Sequence, residues 1–219
     1  MKKLVFIVEG DSEAEFVKRI MTPFFASKGI HEIWPIIIGH GYDNIEHFKN
    51  TVKRVLSFEG EPVITTFIDY YRINSTKKIP DYDRIKDEPS EQKLAIMEQK
   101  LNEVVQSIKL YRFFVPYIQR HEFETLLFAD PEKGFNLEDE QIKQDVIKLC
   151  KKFDSIEDIN DTPQGAPSVR LKEIYALHKR KYKKGADAVD IADLTSIEKM
   201  LEKCPHFRKW VETLIEKCQ

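Results

Sequence analysis

The stretch that decides the fold is Leu4-Val5-Phe6-Ile7-Val8-Glu9-Gly10-Asp11-Ser12-Glu13, close to the start of the chain. Its first five residues are a continuous run of β-prone apolar side chains, which is typical of a parallel strand buried on both faces. Glu9 follows at the carboxyl end of this strand, where Gly10 lets the backbone turn tightly. In open α/β sheets, ligands bind at this carboxyl edge. The stretch therefore predicts an acidic site at the edge of a sheet.

The order of the predicted elements indicates an α/β fold with a parallel, Rossmann-like sheet. Residues 33–38, 63–68 and 113–118 are further apolar runs, and amphipathic helical spacing separates each run from the next. This alternation favours parallel strands with helices on both faces. The run 33–38 predicts a second buried strand, whereas Pro116 predicts that the fourth strand lies at an edge or has a broken ladder.

The C-terminal part of the chain is predicted to be entirely helical. No strand pattern follows Glu122, and no Gly/Ser-rich linker separates the two parts. We therefore expect a core over residues 1–128 and a helical extension over 129–219 that packs on it. The long polar stretch 72–90 has the length of a functional lid or a disordered segment. Helical spacing is present at 139–152, 167–179, 195–203 and 205–217.

Composition limits the classes of protein to which the chain can belong. Thirty-five Lys and Arg residues against 37 Asp and Glu give a formal net charge of −2. Any affinity for nucleic acid must then come from a local basic patch or from metal ions. Three cysteines without a Cys-x-x-Cys pair argue against a disulfide framework and fit a reducing compartment. With no secretory pattern and no bilayer-spanning run, we expect a cytoplasmic protein with no membrane association.

Carboxylates at two strand ends, Glu9 and Asp69, predict a divalent-cation site. Mg²⁺ takes oxygen ligands, and one or two carboxylates can hold it together with waters and substrate phosphate. Glu13 lies one helical turn beyond Glu9, where it either reaches the same ion or stabilises the positive end of its helix. The alternative for Glu9 and Asp69 is that both simply face solvent, but their joint occurrence favours a site.

A third acidic segment, His121-Glu122-Phe123-Glu124, follows the fourth predicted strand. If this segment is already helical, residues two apart point to opposite sides, so Glu122 and Glu124 cannot both face one ion. Glu122 is nearer the strand end and is the preferred ligand. The alternative is that the segment belongs to the core, with His121 and Glu124 bonded to buried backbone groups.

The densest basic run extends from His178 to Lys184 and predicts a surface that contacts phosphates. Tyr182 within it could stack on a base. The alternative is a solvated helix C-terminus capped by Gly185. The predicted nucleic-acid contacts are Lys179, Arg180, Lys181, Lys183 and Lys184.

Two other polar positions stand near predicted helix starts. Ser168 and Arg170 follow Pro167, at a helix N-terminus that suits an anion. His206 follows Pro205 and has aromatic neighbours, so we expect a packed, hydrogen-bonded side chain rather than a catalytic one.

Five motifs together resemble a known family. The order strand, Glu-Gly-x-x-Glu, helix and later strand-Asp resembles the Toprim fold. That fold occurs in topoisomerases, primases and the nucleases attached to or paired with overcoming-lysogenization-defect-type ATPases. More narrowly, the chain is similar to a bacterial Toprim-like family described as a domain of unknown function. The motifs are Val8-Glu9-Gly10-x-x-Glu13, Phe67-Ile68-Asp69-Tyr70-Tyr71, His121-Glu122-Phe123-Glu124-Thr125-Leu126-Leu127-Phe128, Ile159-Asn160-Asp161 with Ala166-Pro167-Ser168, and Cys204-Pro205-His206-Phe207-x-x-Trp210.

The resemblance implies metal-dependent phosphoryl transfer, with Glu9 as ligand or general acid/base and Asp69 as a Mg²⁺ ligand. Toprim enzymes usually follow the strand with Asp-x-Asp, but Tyr71 stands at the second position here. That departure removes one ligand and counts against two-metal catalysis.

The function expected from these observations is a Mg²⁺- or Mn²⁺-dependent nuclease that cleaves phosphodiesters in a bacterial defence-type module, beside a separate ATPase. The alternative is a catalytically silent scaffold or sensor that binds the ATPase. The expected catalytic residues are Glu9, Asp69 and Glu122, and the expected metal ligands are Glu9, Glu13, Asp69 and Glu122.

Overall fold

A parallel five-stranded sheet with helices on both faces is the frame of the molecule. We describe it from a computed structural model for residues 2–39, 41–159 and 163–219, without the side chains of Pro163 and Ala186. The strands are β1 (Leu4–Val8), β2 (Ile33–Ile37), β3 (Val63–Asp69), β4 (Phe114–Val115) and β5 (Ile118–Gln119). Their spatial order is β2-β1-β3-β4, and β5 pairs with β3 beyond the end of β4. All the strand pairs are parallel, which confirms the predicted α/β class.

The register of the strands brings the predicted acidic positions to one edge. Val8 of β1 pairs with Phe67 of β3, so Glu9 lies beside the last residues of β3. Asp69, the last residue of β3, pairs with Gln119 of β5. The segment that starts at His121 therefore leaves the sheet next to Asp69.

Burial differs between the centre and the edges of the sheet. β1 and β3 are buried along their whole length, because neighbouring strands and helices cover them on every side. β2 is an edge strand and is only partly buried, with Trp34 55% exposed. The expectation of a second buried strand was therefore right about the strand and wrong about its burial.

The fourth predicted strand is broken at Pro116, as expected from the missing proline N–H. Two threonines of β3 bridge the break with their hydroxyl groups. Thr65 donates to the carbonyl of Val115 at 2.6 Å, and Thr66 both donates to the carbonyl and accepts from the N–H of Tyr117. The break separates β4 from β5 and leaves backbone groups of Ile118 for side chains to satisfy.

Helices pack on both faces of the sheet and form two cores. Leu4, Phe6 and Val8 enter one core with the first helices and the C-terminal helices, while Val5 and Ile7 enter the other with α3 and α5. This alternation follows from the two-residue period of a strand. The helices are α1 (Asp11–Phe16), α2 (Thr22–Ser27), α3 (Ile45–Leu56), α4 (Tyr82–Ile85), α5 (Ser90–Ile108), α6 (Pro131–Gly134), α7 (Glu140–Cys150), α8 (Pro167–Leu177), α9 (Ala186–Thr195), α10 (Ile197–Lys203) and α11 (Pro205–Cys218), with a π-helical turn, Val17–Met21, between α1 and α2.

The C-terminal part is helical as predicted, apart from irregular turns. α7, α8, α10 and α11 fall within the predicted ranges, whereas α9 was not predicted. A short 3₁₀ turn at Phe123–Ala129 connects this part to the sheet, and another at Ile156–Asp158 lies between α7 and α8. Among the residues described, no helix has the length and apolar character needed to cross a membrane.

The polar stretch 72–90 is packed rather than loose. Ile73, Ile79 and Ile85 are buried in the core that contains α3 and α5. The stretch contains the short helix α4. These contacts place it against the molecule as a folded connection.

Candidate metal centre

Three carboxylates meet at the carboxyl edge of the sheet. One oxygen from each of Asp69, Glu122 and Glu124 lies within 4.8 Å of the others, in the part of the chain that the structure describes. Asp69 ends β3, and the two glutamates follow β5 after a sharp bend. The side chains of Asp69 and Glu124 are almost completely buried, and that of Glu122 is 13% exposed.

Each carboxylate is oriented by one hydrogen bond to one of its two oxygens. This leaves the other oxygen of each group, namely Asp69 Oδ2, Glu122 Oε1 and Glu124 Oε2, facing a common point. Two of the donors are backbone N–H groups, which do not change rotamer. The donors are the N–H of Phe123 to Asp69 Oδ1 (2.8 Å), the N–H of Ser168 to Glu122 Oε2 (3.0 Å) and the hydroxyl of Tyr182 to Glu124 Oε1 (3.4 Å).

Lys184 places its ammonium group at this common point. Its Nζ lies 3.8 Å from Asp69 Oδ2, 3.3 Å from Glu122 Oε1 and 3.5 Å from Glu124 Oε2. Glu124 Oε2 is buried, and its partner among the described residues is this ammonium group. The three oxygens therefore form a site for a cation.

The donor set fits a hard divalent cation. All three groups offer oxygen, which Mg²⁺, Mn²⁺ and Ca²⁺ prefer. Mg²⁺ holds its oxygens at about 2.0–2.1 Å, so two ligands of one ion are at most about 4.2 Å apart. The carboxylates, within 4.8 Å of one another, would need only a small closure to reach that spacing.

Glu9 and Glu13 lie beside the three carboxylates and have partners of their own. Glu9 Oε2 accepts weakly from the N–H of Asp69 at 3.4 Å, and Glu9 Oε1 forms an ion pair with Arg72. Glu13 Oε2 accepts from the N–H of Gly10 at 3.0 Å, at the start of α1. Their roles as metal ligands remain predictions, and Glu13 has the helix-capping contact that its alternative role required.

Crowding of buried acids raises several pKa values at this edge. Burial, and then Glu9 and Glu13, raise the pKa of Asp69 well above its usual range. Burial, and then Glu9, raise the pKa of Glu13 to about 7. Burial would lower the pKa of Lys184, but Asp69 and the two glutamates outweigh it and raise that pKa. The acids at this edge repel one another when ionised, and an added cation would relieve that repulsion.

Glu122 and Glu124 would face opposite sides only if one helix included both, and the structure does not meet that condition. Glu122 precedes the helical turn in an extended conformation (φ −146°, ψ 165°). His121 before it has a φ of 65°, a left-handed conformation that turns the chain sharply. The bend and the extended residue bring both carboxylates to the same side.

The basic run lies next to the centre but does not have the predicted form. α8 already ends at Leu177, and Gly185 precedes α9 instead of capping α8. Tyr182 is buried, with its hydroxyl on Glu124, so it does not offer a stacking face. The exposed residues of the run are Lys179, Arg180, Lys181, Lys183 and Lys184, of which Arg180 pairs with Asp139 and Lys184 with the three carboxylates.

The predicted anion position at the start of α8 is filled from within the chain. Ser168 donates its N–H to the Glu122 carboxylate, which is therefore the anion at this helix N-terminus. Arg170 does not take part and donates to the carbonyl of Gly165. The observation explains how Glu122 is held.

A second polar cluster lies at the sheet edge formed by β4 and β5. His206 Nε2 lies 3.1 Å from Glu98 Oε1 and 3.2 Å from the carbonyl of Ile118, whose N–H donates to the same Glu98 oxygen. The Glu157 carboxylate accepts from the N–H of His206 at the start of α11. His206 is thus packed and hydrogen-bonded, and the cluster borders an open cavity of about 650 Å³.

The fold and site define an α/β protein with a buried, three-carboxylate cation site at the carboxyl edge of a parallel sheet. A family profile, described as "Domain of unknown function (DUF4276)", matches residues 8–215, so the chain belongs to this family. Asn160 and Asp161, part of one motif used in the sequence analysis, lie outside the described residues.

Other comparisons give fold likenesses only. No curated protein matches the chain. The C-terminal region of the Xanthomonas campestris pv. campestris OLD protein is similar at 16% identity and a TM-score of 0.46, over 100% of this chain and 95% of that one. The C-terminal region of the Burkholderia pseudomallei OLD protein is similar at 13% identity and a TM-score of 0.48, over 100% of both chains. Likenesses at this level say nothing about activity.

Proposed function

We propose that the protein is a nuclease that cleaves phosphodiesters with Mg²⁺ or Mn²⁺. The observation that carries the proposal is the convergence of three carboxylate oxygens on one cation position at the carboxyl edge of the sheet. Carboxylates in such a place need a further oxygen ligand to complete an ion's shell, and a substrate phosphate supplies one.

In this proposal, Asp69, Glu122 and Glu124 hold the ion with one oxygen each. The bound ion supplies Lewis-acid polarisation of the phosphate and lowers the pKa of a water molecule. Glu9 lies beside Asp69 and takes the proton of the attacking water, while Arg72 keeps the Glu9 side chain in position. The water oxygen forms a bond to phosphorus, the ester P–O bond breaks, and the leaving oxygen takes up a proton from solvent water.

The substrate side of the proposal depends on the basic run. Lys179, Lys181 and Lys183 are exposed on the segment that carries Lys184 to the centre. Cations spaced along a strand of nucleic acid neutralise its phosphates. We assign these lysines, with Arg180 after release from Asp139, to hold the strand on either side of the bond to be cut.

The biological setting is inferred from the sequence resemblance alone. That resemblance implies a bacterial defence-type module with a separate ATPase as partner, in the cytoplasm. The alternative function is a silent scaffold or sensor that binds the ATPase. Tyr71 in place of a second acid, and Lys184 as the cation at the centre, favour this alternative.

The test is metal-dependent cleavage of labelled DNA and RNA by the purified chain, and by the chain with its partner ATPase once identified. Asp69→Asn and Glu124→Gln should each reduce cleavage by at least 100-fold, because each removes a ligand charge. Glu212→Gln, an exposed carboxylate of α11, is the matched control and should cleave normally. Full cleavage by Asp69→Asn would refute the nuclease and leave the scaffold.

A further inference from the structure

Lys184 occupies the place that a divalent cation would take. Its Nζ is within 3.3–3.8 Å of one oxygen from each of the three carboxylates, while the other oxygen of each accepts from Phe123, Ser168 or Tyr182. An ion with ligands at about 2.1 Å must draw these same oxygens together around a point that the ammonium now fills. The two cations cannot be at the centre together.

We propose that Lys184 is a built-in counter-cation that a divalent ion must displace, so that the centre is held closed until the lysine is withdrawn. The inference rests on the proposed metal site and adds how that site is regulated. It concerns this chain's own side chain and does not require that the centre be catalytic.

The neighbouring contacts allow the lysine to leave without unfolding the centre. Lys184 is 39% exposed, whereas Glu124 is buried, so the ammonium lies on the solvent side. The hydrogen bonds of Phe123 and Ser168 hold Asp69 and Glu122 independently of Lys184. The lysine itself lies in the irregular segment between α8 and α9, ahead of Gly185 with a φ of 104°.

After displacement, a phosphate of the proposed substrate could become the partner of the Lys184 ammonium. Lys179, Lys181 and Lys183 precede it on the same segment, so a phosphate bound there would attract the released ammonium. Binding of the ion and of a phosphate-bearing strand should then favour each other, because each removes Lys184 from the competitor's place.

The first experiment measures the affinity of Mn²⁺ alone by isothermal titration calorimetry. Lys184→Gln should bind Mn²⁺ at least 10-fold more tightly than the wild-type chain, because the competing charge is gone. Lys184→Arg keeps the charge and should bind as weakly as wild type. Lys172→Gln, an exposed lysine of α8, is the control and should not change the affinity. Equal or weaker binding by Lys184→Gln would overturn the inference.

A second measurement uses the wild-type chain, so that it stands even where a variant fails to fold. The rate at which an acylating reagent modifies Lys184, read by mass spectrometry and normalised to Lys172, should rise at least 5-fold when Mn²⁺ is added. A constant or falling rate while Mn²⁺ binds would overturn the inference and leave the metal site intact. Absence of Mn²⁺ binding in both wild type and Lys184→Gln would overturn the site and the inference together.

Discussion

Two polar clusters flank β5, and they satisfy their charges in opposite ways. In the Glu98–His206 cluster, carboxylate, imidazole and the backbone groups of Ile118 pair with one another inside the chain. In the three-carboxylate centre, one oxygen of each acid has a fixed donor and the other faces a single movable ammonium. The first arrangement is complete without a ligand. The second is complete only with a cation.

The contrast separates a motif whose charges are balanced within the chain from one whose carboxylates face a cation position. His206 belongs to the motif Cys204-Pro205-His206-Phe207-x-x-Trp210, and its contacts close the open edge of the sheet at Ile118. Such a closed edge cannot pair with another chain. Glu122 and Glu124 belong to the motif that runs from His121 to Phe128, and each directs one carboxylate oxygen at Lys184. The role of a charged residue is therefore inferred from how its charge is balanced, and not from its presence in a motif.

A pair of matched substitutions tests whether only the three-carboxylate centre needs a cation. Glu124→Gln should lose the stabilisation by Mn²⁺. At a free Mn²⁺ concentration 100 times the dissociation constant, this stabilisation adds about 2.7 kcal/mol to the free energy of unfolding of the wild-type chain. The stability of Glu124→Gln in chelator should hold or increase, because a buried like charge is removed. Glu98→Gln should keep the Mn²⁺ response and lose roughly 1–2 kcal/mol of stability from its weakened bonds.

Both variants are measured by thermal and urea unfolding, with and without Mn²⁺. A loss of the Mn²⁺ response in Glu98→Gln would show that the two clusters are not independent. Retention of the response in Glu124→Gln would remove Glu124 from the ligand set and leave Glu122 as the ligand from this segment.

The parts of the site that the sequence predicted are those determined by regular strands. The runs that form β1 and β3 end on Glu9 and Asp69, and parallel register then brings these ends together. Neither Glu124 nor Lys184 follows from such a rule. Glu124 depends on the left-handed bend at His121, and Lys184 arrives from a loop 62 residues beyond Glu122.

The partial burial of β2 was missed for a related reason. A continuous apolar run indicates a strand in a sheet, but it does not tell which strand lies at the edge. That depends on the order of the strands in space, which places β2 outside β1. Local pattern thus predicted the elements, and tertiary order decided their exposure.

The pH dependence of stability should distinguish the two clusters without a metal. The pKa of Glu13 in the folded chain, about 7, lies above its ordinary value of 4.5. The folded chain then binds more protons than the unfolded one between these pH values, so the free energy of unfolding falls as the pH rises from 4.5 to 7. Burial lowers the pKa of His206, but its bond to Glu98 outweighs burial and raises that pKa. Its stabilising contribution is present below pH 6.5 and is lost above it.

The measurement is urea unfolding in chelator across pH 4.5–9. Glu13→Gln should flatten the decline between pH 4.5 and 7, by roughly 3 kcal/mol at about 1.4 kcal/mol per pKa unit. His206→Gln should flatten the decline above pH 6.5. Identical profiles for the two variants would mean that the clusters titrate as one.

The smallest expected effect concerns where nucleic acid approaches. If it comes to the three-carboxylate centre, the exposed lysines beside Lys184 should contact phosphates, whereas Lys209, which borders the cavity at the Glu98–His206 cluster, should not. Single changes to glutamine at Lys179, Lys181 and Lys183 should each weaken binding only a few-fold and reduce the slope of log K against log salt by about 0.7–0.9. Fluorescence anisotropy with labelled single and double strands at 50–200 mM salt measures both quantities. Lys209→Gln is the control, and a larger effect there than at Lys183 would move the nucleic-acid surface to the other cluster. Because each lysine lies in solvent and makes one screened contact, none of these variants should change the free energy of unfolding in chelator by more than about 0.5 kcal/mol.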